Sequence, residues 1–271
     1  TRIPVQTAIS SVNQVALGSD HGCAKKLNGR VMCWGRNHFG QLGNGTTGNS
    51  DSGVLVSNLF SVAQVAAGEH TSCARLTNGR VTCWGQGQYG QIGNGSTANR
   101  STPVYVTQLD DAVSIGIGRY HACALKTGGA MRCWGRNGSY ELGDNSRTQR
   151  NAPVTVAGFT DFDSFAVDHG ARNTCALRNQ GEARCWGYGA TGALGEGTGS
   201  TSGKVLVKTL NDAGQQVPLS NLTAIAAMGE HTCAIDSDDR VWCWGQGASG
   251  QLGDGLTGGV SLVPFNVLPL Y

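Results

Sequence analysis

The residues of this chain best equipped for chemistry are its ten cysteines, and their spacing says which chemistry. They fall into five pairs, Cys23/Cys33, Cys73/Cys83, Cys123/Cys133, Cys175/Cys185 and Cys233/Cys243, each closing on a Cys-Trp-Gly triplet. Structural zinc draws its ligands from close Cys-x-x-Cys or Cys-x-x-His knuckles, and these pairs are too widely spaced for that. An even set with none left over reads as five disulfides, and so as an oxidising compartment: secretion or a cell surface. Buried free thiols in a reducing compartment are the competing reading.

Six histidines come next. His21, His70, His121 and His231 stand just ahead of a first cysteine, His169 is displaced, and His38 lies elsewhere. Gathered round an axis, imidazoles of this kind could ligate a metal. Recurrence in unit after unit fits scaffold residues that hydrogen-bond neighbouring turns. No serine, cysteine or carboxylate stands in a nucleophile or acid–base context. Glycine clusters such as Gly90, Gly93 and Gly95 are followed by no lysine and no helix, so they are not phosphate loops. The loops Gly143-Asp144-Asn145 and Gly253-Asp254-Gly255 lack the alternating carboxylates of a defined calcium loop. The expectation is a protein that is not an enzyme, with no catalytic, cofactor-binding or metal-binding residue.

The elements that position the cysteines follow from one unit. The stretches Val62 to Gly68, Cys73-Ala74-Arg75-Leu76, Arg80-Val81-Thr82-Cys83-Trp84-Gly85 and Pro103-Val104-Tyr105-Val106 read as four short strands, A to D, bounded by turn residues. Asn78-Gly79 is a hairpin turn between B and C. The same slot holds Asn28-Gly29, Gly128-Gly129, Gln180-Gly181 and Asp238-Asp239, the last without glycine. A turn centred there sets Cys73 opposite Cys83, at about 4.5 Å between Cα atoms in a non-hydrogen-bonded pair, a separation a disulfide accepts. A four-stranded antiparallel unit repeated round an axis is a propeller blade, and one unit is too short to bury its own faces alone. The recurring Trp34, Trp84, Trp134, Trp186 and Trp244 read as packing between blades, with a ring of aromatics for sugars or light as the alternative.

The run Cys-Ala-Leu-x3-Gly-x3-Cys-Trp-Gly-x4-Gly-Gln-Leu-Gly, with Pro-Val downstream, resembles the regulator of chromosome condensation repeat. Gly40-Gln41-Leu42-Gly43, Gly90-Gln91-Ile92-Gly93 and Gly250-Gln251-Leu252-Gly253 carry the motif well; Tyr140-Glu141-Leu142-Gly143 and Gly192-Ala193-Leu194-Gly195 are degenerate. The resemblance covers almost the whole chain. It implies an all-β propeller of roughly fifty-residue blades. Members commonly have seven blades where five are counted here, and the cysteine pairs are an addition to the usual repeat. The guanine nucleotide exchange of the founding member has no residues to carry it onto this chain, because the shared motif is scaffold.

The organisation expected is a single propeller domain over 1–271, with units at about 8–56, 57–106, 107–156, 157–207 and 208–267 and an extra terminal strand at 1–7. The spare D-like segment, Ile3-Pro4-Val5 or Val263-Pro264-Phe265, is expected to latch a closed five-bladed ring. An arc cut from a larger ring is the alternative. Thr1 follows no charged-then-apolar leader, which reads as a processed or excised chain.

A net charge of +2 is too small for a nucleic-acid binder, and no apolar run is long enough to insert in a membrane. What remains is a display surface. The A–B and C–D connections share one side, and the C–D loops (36–52, 86–102, 136–152, 188–203 and 246–262) are the longest and most varied. The expected partner-binding residues are Arg119, Tyr120, Tyr140, Arg147, Arg150, His169, Arg172 and Tyr188, of types enriched at binding hot spots. The function expected is an extracellular, adhesin-like module that holds a protein or glycan ligand, as part of a larger surface protein. A secreted protein inhibitor of an enzyme is the first alternative, and a metal or catalytic site on the axis the second. Asn44, Asn94, Asn99, Asn137 and Asn221 head Asn-x-Ser/Thr triplets.

Overall fold

The computed structural model describes residues 9–168, 170–179 and 181–267. The expected terminal strand at 1–7, His169 and Gln180 lie outside the described residues. The described residues form strands and turns without a helix. Blade one is β1 (Val12–Leu17), β2 (His21–Lys26), β3 (Val31–Gly35) and β4 (Ser50–Leu55). Blade two is β5 (Val62–Ala67), β6 (Thr71–Leu76), β7 (Val81–Gly85) and β8 (Arg100–Tyr105). Blade three is β9 (Ala112–Ile117), β10 (His121–Lys126), β11 (Met131–Gly135) and β12 (Arg150–Thr155). Blade four is β13 (Phe162–Ala166), β14 (Asn173–Arg178), β15 (Glu182–Gly187) and β16 (Ser202–Leu206). Blade five is β19 (Leu222–Met228), β20 (His231–Asp236), β21 (Val241–Gln246) and β22 (Val260–Asn266). Each is an antiparallel meander in chain order. Between blades four and five, β17 (Lys208–Leu210) and β18 (Gln216–Pro218) add a small hairpin, tied to β22 by Thr209 Oγ1 donating to the Pro264 carbonyl at 2.9 Å.

The register places every cysteine opposite its predicted partner. All five disulfides form: Cys23–Cys33, Cys73–Cys83, Cys123–Cys133, Cys175–Cys185 and Cys233–Cys243, with Cα atoms 4.0–4.1 Å apart. No free cysteine remains among the described residues. The turn without glycine works because Asp239 takes φ +60° while the Asp236 carboxylate accepts the backbone N–H of Asp238 and Arg240. At the end of each C strand, Gly35, Gly85, Gly135, Gly187 and Gly245 sit at φ of +100° to +116°. A Cβ there would strike the carbonyl of residue 20, 70, 120, 172 or 230, so only glycine fits.

One device joins successive blades. The Trp84 indole donates to the Gln41 carbonyl of blade one at 2.9 Å; Trp134 does so to Gln91, Trp186 to Glu141 and Trp244 to Ala193, at 2.9–3.0 Å. The rings lie against Gly43, Gly93, Gly143 and Gly195, where a side chain would collide with them. A fully buried tryptophan of this kind contributes about 3–5 kcal/mol against alanine. Nearer the axis, Gln14 and Gln64 each clasp the next inner strand, donating to one backbone carbonyl and accepting that residue's N–H. The aromatic-ring alternative for these tryptophans is thereby overturned: four are closed between blades with no face to offer a ligand.

Five blades are present, and the latch expected at 1–7 to close them lies outside the described residues. Each four-stranded sheet is built from consecutive strands, none borrowed from the far end of the chain. Blades one to five touch in order, and among the described residues no comparable contact joins blade five to blade one. The inner strands line an apolar channel, a cavity of about 410 Å³ that includes Leu17, Val65, Ile117, Val167 and Met228.

Candidate partner-binding face

The face carrying the A–B and C–D connections is built on a repeated backbone bond. The N–H of Arg36, Gln86, Arg136, Tyr188 and Gln246 donates to the carbonyl of Asp20, His70, Tyr120, Arg172 and Glu230 respectively, at 2.8–3.0 Å. The bond holds two side chains next to each other at the rim of each blade. Their identity changes from blade to blade. Blade one pairs Asp20 with Arg36 at 3.2 Å. Blade three sets the Arg136 guanidinium 5.8 Å from the Tyr120 ring centre, and blade four reverses the roles, with Arg172 4.0 Å over Tyr188.

The cysteines stand apart from this rim. Cys33, Cys83, Cys133, Cys185 and Cys243 are buried within their C strands, two residues before the glycine that precedes each rim bond. Their sulfurs are spent on Cys23, Cys73, Cys123, Cys175 and Cys233 of the neighbouring B strands, so they serve the scaffold and offer a partner no contact.

Two of these rims merge across a blade boundary. Arg119 Nε donates to Glu69 at 2.6 Å, and the Tyr120 hydroxyl donates to the other Glu69 oxygen at 3.4 Å. Tyr120 packs on Tyr89 at 4.7 Å between ring centres, and Arg136 lies 5.9 Å from Tyr89. His70 stacks on Phe39 at 5.1 Å and comes within 4.0 Å of Glu69. Burial alone would lower the Arg119 guanidinium pKa, but the hydrogen bond and charge of Glu69 outweigh it, and the pKa is raised. Arg119 therefore stays charged, aimed at its partner, with 42 % of its side chain exposed.

The third blade departs from the repeat just beside this cluster. Glu141 stands where Gln41 and Gln91 stand, and like them it accepts a backbone N–H two residues back. Its carboxylate is buried with Arg136 at 3.8 Å as counter-charge, in the place where blade two sets Gln86 against Gln91. Tyr140 occupies the slot of Gly40, Gly90, Gly192 and Gly250 and keeps their left-handed backbone at φ +67°. For a bulky aromatic residue that backbone is strained, which marks the position for a role of its own. The Arg147 guanidinium lies 5.2 Å over its ring while Arg147 Nε donates to the Gly138 carbonyl.

Of the residues expected here, Arg119 and Tyr120 meet, Arg172 and Tyr188 meet, and Tyr140 and Arg147 meet. Arg150 is spent inside its own loop, where its Nε donates to Asp144 at 2.9 Å. Burial would raise the Asp144 carboxyl, but hydrogen bonds from Ser146, Asn137 and Arg150 hold its pKa below the ordinary value. Those same bonds occupy the carboxylate that a calcium reading of this loop needs. Glu69, Tyr89 and Arg136 complete the cluster. Aligning the units on Cys-Trp-Gly would have found Glu69 and Arg136, because they share unit positions with Arg119 and with Tyr188.

The histidines divide into two positions. His21, His121 and His231 pair with the glycine at the end of a C strand, as do Thr71 and Asn173, whereas His70 stands one residue earlier, on the rim. His21 and His121 are buried, each with Nε2 2.9 Å from a hydroxyl of the next blade, Ser72 or Thr174. Those hydroxyls donate to the Gln41 and Glu141 carbonyls, so the imidazole Nε2–H is the donor to the hydroxyl. Burial drives the His121 pKa down to about 3. These rings fasten blades, and no group of three or more metal-ligating side chains occurs among the described residues. Asn137 is likewise internal: its amide donates to the Ser146 and Thr148 carbonyls, with no exposed nitrogen for a glycan.

Comparison with known proteins fits this architecture. The description "Regulator of chromosome condensation (RCC1) repeat" matches residues 28–75 and 78–125 in one form, and 12–41, 62–91, 112–141 and 223–251 in a second. The RCC1 domain-containing protein RUG3, mitochondrial, of Arabidopsis thaliana is 32 % identical over 89 residues, which are 33 % of this chain and 18 % of RUG3. The structure of human WBSCR16 superposes with a TM-score of 0.80 at 22 % identity, over 95 % of this chain and 67 % of that one. Prp20p of Saccharomyces cerevisiae, described with its binding to Gsp1p and histones, gives 0.77 at 20 % identity, over 95 % of this chain and 63 % of that one. The chain thus spans about a fifth of its curated relative and about two thirds of these solved propellers. With blade, junction and motif all in place, the chain belongs to the regulator of chromosome condensation (RCC1) repeat family.

Proposed function

We propose that this chain is a non-enzymatic protein-binding module that engages its partner through the rim where the A–B and C–D connections emerge. The observation that carries the reading is the rim bond. One backbone geometry recurs in five blades, and the paired side chains it presents differ in every one. Residues that serve the scaffold repeat, as the tryptophans and cysteines do; residues that serve recognition need not. The centre of the surface is the Glu69–Arg119–Tyr120–Tyr89–Arg136 cluster, rich in the aromatic and guanidinium groups that dominate interface energies. Arg172–Tyr188 and Arg147–Tyr140 flank it as separate anchors. Five disulfides support an oxidising compartment, in which the module is secreted or displayed on a surface.

The test is capture of partners from extracellular material on immobilised chain, beside a glycan array. A retained protein that is lost with Tyr120→Ala plus Arg172→Ala, while both proteins melt alike, supports the reading. Retention unaffected by those changes, or binding on the glycan array alone, overturns it. An enzyme retained in this way and inhibited by the wild-type chain would identify the partner class.

A further inference from the structure

Among the described residues only two Phe, Tyr or Trp side chains are exposed, Phe60 at 54 % and Tyr105 at 48 %, and both line one pocket of about 320 Å³. That volume lies at the lower end of the range for small-ligand sites, which begins at about 300 Å³. The pocket opens at the outer edge of blade two, on the side of the B–C and D–A connections and away from the rim. The connection from β4 to β5 brings Phe60, with Asn58 and Ser61 beside it. The turn between β6 and β7 brings Thr77 and Asn78, and β8 brings Tyr105.

Blade two alone has this combination of side chains. Thr82 of β7 pairs with Tyr105 of β8. The same pair is Met32–Leu55 in blade one, Arg132–Thr155 in blade three, Arg184–Leu206 in blade four and Trp242–Asn266 in blade five. Long side chains therefore stand in the other blades where Thr82 leaves a hollow. Phe60 lies two residues before Val62, whose N–H donates to the Gly29 carbonyl. Ala112, Phe162 and Leu222 make the same bond to Gly79, Gly129 and Gly181, and two residues before them stand Asp110, Thr160 and Ser220. A small floor and two aromatic walls thus arrive together, in one blade of the five.

The lining carries no charged side chain. Arg30 lies 4.4 Å over the Phe60 ring and Arg80 3.6 Å over the Tyr105 ring, and neither guanidinium lines the pocket. They brace the rings, which then need little ordering when a ligand arrives. Asn58, Ser61, Thr77 and Asn78 can each donate and accept hydrogen bonds through a neutral group. The Thr82 hydroxyl, in a residue 4 % exposed, has no hydrogen-bond partner among the described residues. A purely apolar ligand would strand these amides and hydroxyls. A phosphate, a carboxylate or a cation finds no opposite charge in the lining. A ring with hydroxyls round its edge and C–H bonds on its faces satisfies both halves of the pocket, and that is the chemistry of a pyranose.

We propose that the blade-two pocket is a carbohydrate site that takes the neutral terminal pyranose of a glycan, stacked on Phe60 or Tyr105 above Thr82. It lies on the opposite side of the propeller from the rim, so the two sites can be tested apart. The probes are arrayed glycans ending in glucose, galactose, mannose or N-acetylglucosamine, beside sialylated and sulfated glycans. The wild-type chain is expected to bind members of the neutral set. The methyl glycoside of the bound sugar should compete with a dissociation constant on the order of a millimolar. Thr82→Arg, which installs the side chain that blades three and four carry there, should abolish binding. Phe60→Ser should weaken it about tenfold, with the melting temperature unchanged. Tyr120→Ala plus Arg172→Ala should leave glycan binding intact, whatever it does to a protein partner. Should Thr82→Arg not fold, Phe60→Ser and Tyr105→Thr, both at exposed positions, decide instead. No neutral glycan bound, acidic glycans alone bound, or binding untouched by these substitutions overturns the proposal. So does a retained protein, with no glycan bound, that is lost with Phe60→Ser.

Discussion

Acid should loosen this propeller through the histidine closed between blades three and four. His121 is fully buried, its only described polar contact from Nε2 is the Thr174 hydroxyl, and burial holds its pKa at about 3 against an ordinary 6.5. The folded state keeps the ring neutral while the unfolded chain takes up a proton below pH 6.5. Stability contributed by the neutral ring is therefore complete above pH 6.5, falls as the pH drops from there, and stops falling near pH 3. At pH 5 the gap of about 1.5 pH units from 6.5 is worth about 2 kcal/mol. The measurement is urea unfolding at pH 7 and pH 5 for the wild type and for His121→Asn, a residue that blade four already carries at this position as Asn173. Any cost of the substitution itself is present at both pH values and cancels. The wild type is expected to lose about 2 kcal/mol more than the variant on going to pH 5. Parallel losses in the two proteins would refute the burial argument, as would a His121 ring that titrates near pH 6 by NMR.

Each disulfide closes an eleven-residue loop, so Cys123→Ala with Cys133→Ala is expected to cost about 2–3 kcal/mol, read by urea unfolding, and the unreduced mass should lie ten hydrogens below that of the all-thiol chain. Tyr140→Gly relieves a left-handed backbone and should stabilise by about 1 kcal/mol, a rise of about 2–4 °C in melting temperature, while weakening partner capture if the Tyr140–Arg147 pair is an anchor. Arg119→Ala should leave stability within about 1 kcal/mol, because water reaching the 42 % exposed Arg119 side chain screens its pair with Glu69, yet reduce partner retention. An equally large fall in melting temperature would make Arg119 a scaffold residue.

The parts of this molecule legible in sequence are those with a period. Cysteine spacing and the Asn-Gly turns yield the B–C hairpins and their register, because a two-residue turn leaves one way to oppose residues ten apart. Trp-Gly recurrence likewise yields the blades. Ring closure was not legible. It depends on the angle between blades, which is set by how Trp84 seats on Gly43 and how Gln14 clasps Val65, and no local pattern reports an angle. The histidines show a different limit. His21 stands two residues before its cysteine and His70 three, a slip visible in sequence, but only strand register shows that it separates a ring buried between blades from a rim residue.

The rim follows from the same logic inverted. Periodicity exposes the scaffold, so function must be sought in what refuses the period while sharing its backbone. Residues 20, 70, 120, 172 and 230 are Asp, His, Tyr, Arg and Glu on one invariant hydrogen bond. These are large, charged or aromatic, and three of the five pair with the residue across the bond. Blades two and three go further and join their rims through Glu69 and Arg119. A rigid framework, tied by sulfur within blades and by indole between them, holds those side chains without help from a partner. Ordering them on binding then costs little, and a rim of this kind can recognise a protein surface with few anchors.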